Sequence, residues 1–207
     1  CAMGCAFCAS TKGGLIRRLS ASEMLDQVLF TSLDSGLEIS NIVLMGIGEP
    51  LDNFDNVMRF LRLVNHPKGM NIGMRHISLS TCGRVDGIRK FMELDNQLTL
   101  SISLHAPNDK IRNAMMPINN KWNIDALLSA CVAYYKVTGR RISFEYTLIA
   151  GKNDTKQNAL HLANTLNAKL RSRTETMPIH VNLIPVNEVT EAGFKSSDRD
   201  AVKRFAA

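Results

Sequence analysis

The chain has 207 residues, 45% of them hydrophobic and 21% charged, with a formal net charge of +6. That length suffices for one sizeable core, here expected as a single domain over residues 1–207, and no apolar run reaches the length that crosses a bilayer as a helix. The excess of basic residues suits a polyanionic partner without selecting one.

Cys1, Cys5 and Cys8 open the chain at the spacing C-x3-C-x2-C. A loop that brings three sulfurs together suits a [4Fe–4S] cluster with one iron left free of protein, where a small chelating molecule can bind. A structural zinc site would want a fourth Cys or His nearby, and the nearest histidine is His66. A disulfide would leave one of the three cysteines unpaired and strain the other two. The clustering of three of the five cysteines argues for a reducing, cytoplasmic setting.

After this loop, Ser20-Ala-Ser-Glu23 reads as a capping box opening a helix. Its apolar residues Met24, Leu25, Val28, Leu29 and Leu33 fall on helical spacing, and Gly36 closes it. Residues 41–47 form a short continuous apolar run of the kind found in buried parallel strands. Asp52 or Asn53 caps a helix whose inner face is Phe54, Val57, Met58, Leu61 and Val64. The pattern then repeats: a strand over 76–81, a helix over 85–94, a strand over 98–104, a loop over 106–121, and a helix over 123–138 capped by Gly139. A strand over 141–149 follows, then a helix opening at Asp154-x-x-Gln157 with Ala159, Leu160, Ala163, Leu166 and Leu170 on its apolar face. A strand over 180–184 and a helix within 196–207 complete the chain. Strands alternating with helices imply a parallel α/β sheet with right-handed crossovers.

Ligands in such folds bind at the carboxyl ends of strands, and several notable residues sit there. Gly46-Ile-Gly48-Glu49-Pro50 follows the first strand; alone it reads most simply as a strand-to-helix turn with a solvated glutamate. Ser80-Thr81-Cys82-Gly83 ends the next strand, and Ser103-Leu104-His105 the one after. A histidine there is more often a hydrogen-bonded scaffold than an acid or base. Cys131 falls on an apolar helix face and reads as a small buried hydrophobe. Arg17-Arg18, Arg140-Arg141 and the group Lys169, Arg171 and Arg173 are either solvated surface or phosphate contacts. Phe7 and Trp122 are candidates to stack on a base, with core packing the commoner fate.

The motifs CAMGCAFC, GEP, STCG, SLHAPND, MPIN, FEY and HVNLIPVN, in this order from Cys1 to about Arg204, resemble those of radical SAM enzymes and most of all the adenine-C2 RNA methyltransferases of the RlmN type. The resemblance implies a partial (β/α)6 barrel in which the cysteine loop follows the first strand. This chain is then expected to lack that first strand and to be truncated at both ends. It also implies a [4Fe–4S] cluster on Cys1, Cys5 and Cys8, with S-adenosylmethionine (SAM) on its open iron. Gly48 and Glu49 would hold the methionyl amine. Ser80 would touch the SAM carboxylate or ribose, Ser103, Leu104 and His105 would contact the cofactor, and Asn187 the adenosyl part. Cys82 stands where the family usually has serine and is read as a small residue tolerated in a turn.

The reaction so implied methylates C2 of an adenine in 23S rRNA and tRNA and uses two SAM per turnover. The methyl-carrying cysteine, a second cysteine and a general base are expected outside this chain, which therefore contains no catalytic residue and is not expected to complete methylation alone. An electron donor such as flavodoxin or ferredoxin, a monomeric state and no membrane partner go with this reading. The alternatives are a related adenine-C8 rRNA methylase and a non-enzymatic zinc or RNA-binding module.

Overall fold

A computed structural model describes residues 1–94, 97–171, 176–187 and 193–207. Five strands, β1 (Ile42–Leu44), β2 (Ile77–Thr81), β3 (Thr99–Ser103), β4 (Ile142–Leu148) and β5 (Ile179–Pro185), form one sheet in chain order. Every pairing is parallel. Among the described residues seven α-helices accompany them: α1 (Ala21–Ser35), α2 (Phe54–Val64), α3 (Val85–Met92), α4 (Asp109–Met115), α5 (Ile124–Thr138), α6 (Lys156–Leu170) and α7 (Arg199–Ala206). Among the described residues no helix is long and apolar enough to cross a membrane.

Local signals set most helix ends. The Ser20 hydroxyl accepts from the Glu23 N–H, the Glu23 carboxylate accepts from the Ser20 N–H, and left-handed Gly36 closes α1. Asn123 caps α5, which ends on left-handed Gly139, while Thr155 and Asp198 cap α6 and α7. Two expectations change. The 106–121 stretch contains α4, capped by Asn108, and a 3₁₀ turn over Pro117–Asn120. The strand expected over 41–47 is only three residues long, because Gly46 and Gly48 belong to the turn that follows it.

The helices cover one face of the sheet. Val57, Leu61, Ile88, Leu127, Leu162 and Leu166 pack there against Leu79, Leu100, Ile102 and Phe144 in the main core. On α1, Met24, Leu25 and Val28 reach this core, whereas Leu29 and Leu33, expected on the same face, are exposed. Leu160 is exposed on α6 for the same geometric reason: the buried stripe runs through Leu162, Leu166 and Leu170. Cys131 is fully buried in the core, and Trp122 packs at its edge beneath the Lys121 ammonium.

Strand alternation sends Ile142, Phe144, Tyr146 and Leu148 to the helices and Ser143, Glu145 and Thr147 to the opposite face. Register extends that polar face sideways. Ser80 pairs with Ser101 and Ser101 with Ser143, one step below the row Ser103, Glu145, Asn182. The Glu145 carboxyl accepts from Ser143 Oγ at 2.9 Å and from Asn182 Nδ2 at 2.8 Å.

Candidate functional site

Parallel strands all deliver their carboxyl ends to the same side, and four successive strand-end segments there bond to one another. Glu49 follows β1 and caps the 3₁₀ turn Pro50–Asn53, its Oε1 accepting from the Leu51 N–H. Its Oε2 accepts from the Cys82 N–H after β2 at 2.7 Å. The side chain is 8% exposed, so it is not the solvated glutamate that the turn alone suggests. Burial is the main cause that pushes its carboxyl above the usual range, and the N–H groups of Cys82 and Leu51 oppose it. Gly48 before it has φ of +94°, and a Cβ added there would meet nothing within 4 Å. The site is therefore open above the peptide, and only glycine adopts that backbone without strain.

Ser80 Oγ lies 3.4 Å from Ser103 Oγ, joining the ends of β2 and β3. The N–H groups of Leu104 and His105 both donate to the Glu145 carbonyl, at 3.0 and 3.2 Å. The Leu104 side chain is buried in the main core. His105 has φ of +55°, a left-handed conformation uncommon outside glycine. It is held there from several sides: Nδ1 accepts from the Thr147 N–H at 2.9 Å, and its carbonyl accepts from Asn153 Nδ2 at 2.8 Å. Burial drives its pKa down to about 3, so the imidazole is neutral.

The cysteine loop folds onto this assembly. Gly4 has φ of +70°, the Cys8 N–H donates to the Cys5 carbonyl, and Thr11 Oγ1 donates to the carbonyls of Cys8 and Cys5. The Ala6 N–H donates to the Met115 carbonyl of α4 at 2.8 Å, and the Phe7 ring meets His105 edge-on, centroids 5.0 Å apart. Cys5, Cys82, Ala106, Met115, Met116, Ile149 and Val186 form a second apolar cluster, with Cys8 and Phe7 packed against it. Val186 brings the neighbouring Asn187 toward this cluster, although Asn187 itself is exposed.

All three loop cysteines are free thiols, the donor type of a three-cysteine iron–sulfur site. Burial chiefly, and then the neighbouring Cys8, push Cys5 up to about 11. Among the described residues no group of three His, Cys, Asp or Glu side chains is placed to hold a metal ion. A bound cation displaces the thiol protons and is what would draw the three sulfurs together. The donor chemistry fits a cluster, and the dry apolar surround beneath Cys5 fits it as well.

A feature absent from the sequence reading is Arg112 on α4. Its Nε donates to the Leu104 carbonyl, Nη1 to Asn119 Oδ1, and Nη2 to the carbonyls of Cys82 and Ser103. The detectable signal was its spacing: Arg112 lies three residues before Met115 and one after Ile111, on the apolar stripe of a short helix. The basic pairs separate by location. Arg17 and Arg18 leave the cysteine loop and are spent on Glu23 and Asp52; Asp52 also pairs with Arg84. Arg140 and Arg141 precede β4, and Lys169 and Arg171 end α6, at the opposite end of the sheet. Lys169 pairs there with Asp125, and Arg173 lies outside the described residues.

A sequence model of the radical SAM superfamily matches residues 1–163. The chain belongs to that superfamily. Among curated radical SAM relatives, the probable dual-specificity RNA methyltransferase RlmN of Clostridium perfringens strain 13 is 53% identical over 205 residues, covering 99% of this chain and 57% of that protein. The chain thus spans little more than half the length of the relatives it matches. A crystal structure of a radical SAM methyltransferase from Sphaerobacter thermophilus superposes with a TM-score of 0.91 at 41% identity, covering 99% of this chain and 59% of that one. Streptococcus suis SuiB, solved with S-adenosylmethionine bound, shares the fold alone, with a TM-score of 0.61 at 15% identity over 100% of this chain and 40% of its own.

Proposed function

We propose that the chain is the cofactor-binding part of an RNA methyltransferase of the RlmN type, acting on C2 of adenine in 23S rRNA and tRNA. The observation that carries this reading is the 53% identity to an RNA methyltransferase across 99% of the chain. Cys1, Cys5 and Cys8 would hold a [4Fe–4S] cluster which, with SAM, supplies one-electron chemistry able to functionalise an unactivated aromatic carbon.

The chain's own residues bind and orient the cofactor. Open space over Gly48 admits it close to the backbone, and the lone pairs that Glu49 does not spend on Cys82 and Leu51 receive its ammonium group. The Ser80 and Ser103 hydroxyls, 3.4 Å apart, offer rotatable donors to a carboxylate or ribose. Neutral His105 does not exchange protons near neutral pH; it holds the end of β3 in its left-handed turn, so Leu104 and His105 line the site without acting as acid or base. Asn187, exposed beyond β5, reaches the nucleoside part. The cluster of Cys82, Ala106, Met115 and Val186 keeps water from beneath Cys5.

Two measurements test this. After anaerobic reconstitution with iron and sulfide, the reduced protein gives a [4Fe–4S] EPR signal that SAM shifts, and Glu49→Gln weakens the shift. A signal blind to SAM, or tight zinc binding in place of iron, overturns the cofactor assignment. Deleting the gene that encodes the chain removes 2-methyladenosine from 23S rRNA and tRNA. Loss of 8-methyladenosine instead would select the C8 methylase.

A further inference from the structure

Arg112 is 0% exposed, and none of the ion pairs among the described residues involves it. Its partners are three backbone carbonyls and one amide, all neutral. The nearest acid on its own helix, Asp109, is occupied by Asn119 Nδ2 and the Ile124 N–H. A buried cation without a carboxylate partner costs several kcal/mol, of order the desolvation penalty of a single ion. Tying three carbonyls does not by itself require a charge, since a neutral donor could do part of that work.

The surroundings show where the charge points. The Cys82 and Ser103 carbonyls that it binds end β2 and β3, the strands that carry Ser80 and Ser103. Gly83, with φ of +104°, passes so close that an added Cβ would stand 3.2 Å from Arg112 Nη2. The helix that carries Arg112 also accepts the Ala6 N–H at its Met115 carbonyl, which anchors the cysteine loop next to it. Burial leaves the guanidinium at about 10, still a cation at neutral pH.

We propose that Arg112 is a positioning residue for the iron–sulfur site: a buried cation that pins the loops after β2 and β3 and raises the reduction potential of a cluster held by Cys1, Cys5 and Cys8. This rests on the reading of those cysteines as cluster ligands. A cluster on three thiolates becomes more negative when it gains an electron. A fixed cation in a low-dielectric surround favours that reduced form.

The test is potentiometric EPR titration of the reconstituted chain as wild type, Arg112→Lys, Arg112→Gln and Asn119→Asp, with iron content and melting temperature measured alongside. Arg112→Gln makes reduction about tenfold less favourable, a midpoint about 59 mV lower for a one-electron couple. Arg112→Lys, which keeps the charge, stays within about threefold of wild type, roughly half that shift. Asn119→Asp sets a carboxylate against Nη1 and gives up the Nδ2 donor to Asp109 and Asn113, so its midpoint falls in the same direction while its melting temperature drops. If Arg112→Gln does not accumulate folded, Asn119→Asp decides. Variants that load iron and reduce at the wild-type midpoint overturn the proposal, even where their melting temperature drops. Failure of the wild type to take up a cluster is a different result: it removes the ligand assignment on which the proposal stands.

Discussion

β1 and β4 carry apolar residues of the same kinds, yet the structure treats them in opposite ways. The stretch Asn41-Ile-Val-Leu-Met-Gly-Ile47 is almost wholly apolar, but Val43 is 64% and Ile47 88% exposed. Ile142–Leu148 carries a serine, a glutamate and a threonine, and all seven residues are buried. The difference lies in position. β4 runs between β3 and β5, with helices over its apolar face and hydrogen-bond partners for the Ser143 and Glu145 side chains and the Thr147 N–H on the other. β1 pairs with β2 alone and sits at the end of the sheet. Burial along a strand follows from what covers it, and hydropathy is only the invitation.

Phe144→Ala should break the contrast most. The ring is fully buried against the helices, and its loss should cost about 3–5 kcal/mol in denaturant unfolding. A loss below about 1 kcal/mol would mean that the helix-covered face of β4 is not packed as described.

His105 should make this end of the sheet sensitive to acid. Its folded value, about 3, lies below the ordinary 6.5, so the unfolded chain takes up the proton first. The stability it contributes is complete above about pH 6.5 and is lost as pH falls toward 3, at up to roughly 1.4 kcal/mol per pH unit. Unfolding free energies at about pH 6.5 and about pH 4.5 read that slope. His105→Asn, which tolerates the left-handed backbone and keeps an acceptor for Thr147, should flatten it; an equal slope in both proteins would assign the acid sensitivity elsewhere.

Glu145→Gln sharpens the comparison on the polar face. Ser143 and Asn182 both donate to this carboxyl, and an amide can accept with only one end. The amide oxygen keeps the Asn182 donor while its nitrogen turns the Ser143 hydroxyl from donor to acceptor, so the loss should stay at about 1 kcal/mol by thermal or chemical unfolding. Val43→Thr on β1 should be the smallest effect, within about 0.5 kcal/mol. A larger loss would show that β1 is covered in solution.

Sequence alone determined the alternation of strands and helices, the parallel sheet and most helix ends, because these follow from short-range periodicity and from capping chemistry within a few residues. Ser20 with Glu23, Gly36, Asn123 and Gly139 act on their own turns. The cysteine spacing and the ordered motifs likewise marked which loops would carry the site. Tertiary structure decided what those residues touch. Helix α4 was hidden because Pro117 and the mixed run Ala106-Pro-Asn-Asp109 read as turn chemistry, and its burial comes from contacts with the cysteine loop. Glu49 is legible as a turn residue, but its burial depends on an N–H 33 positions away. The role of Arg112 depends on carbonyls of Cys82 and Ser103, placed by two different strands. No local pattern encodes such contacts, since a buried charge is tolerated only where the folded chain brings acceptors to it from a distance.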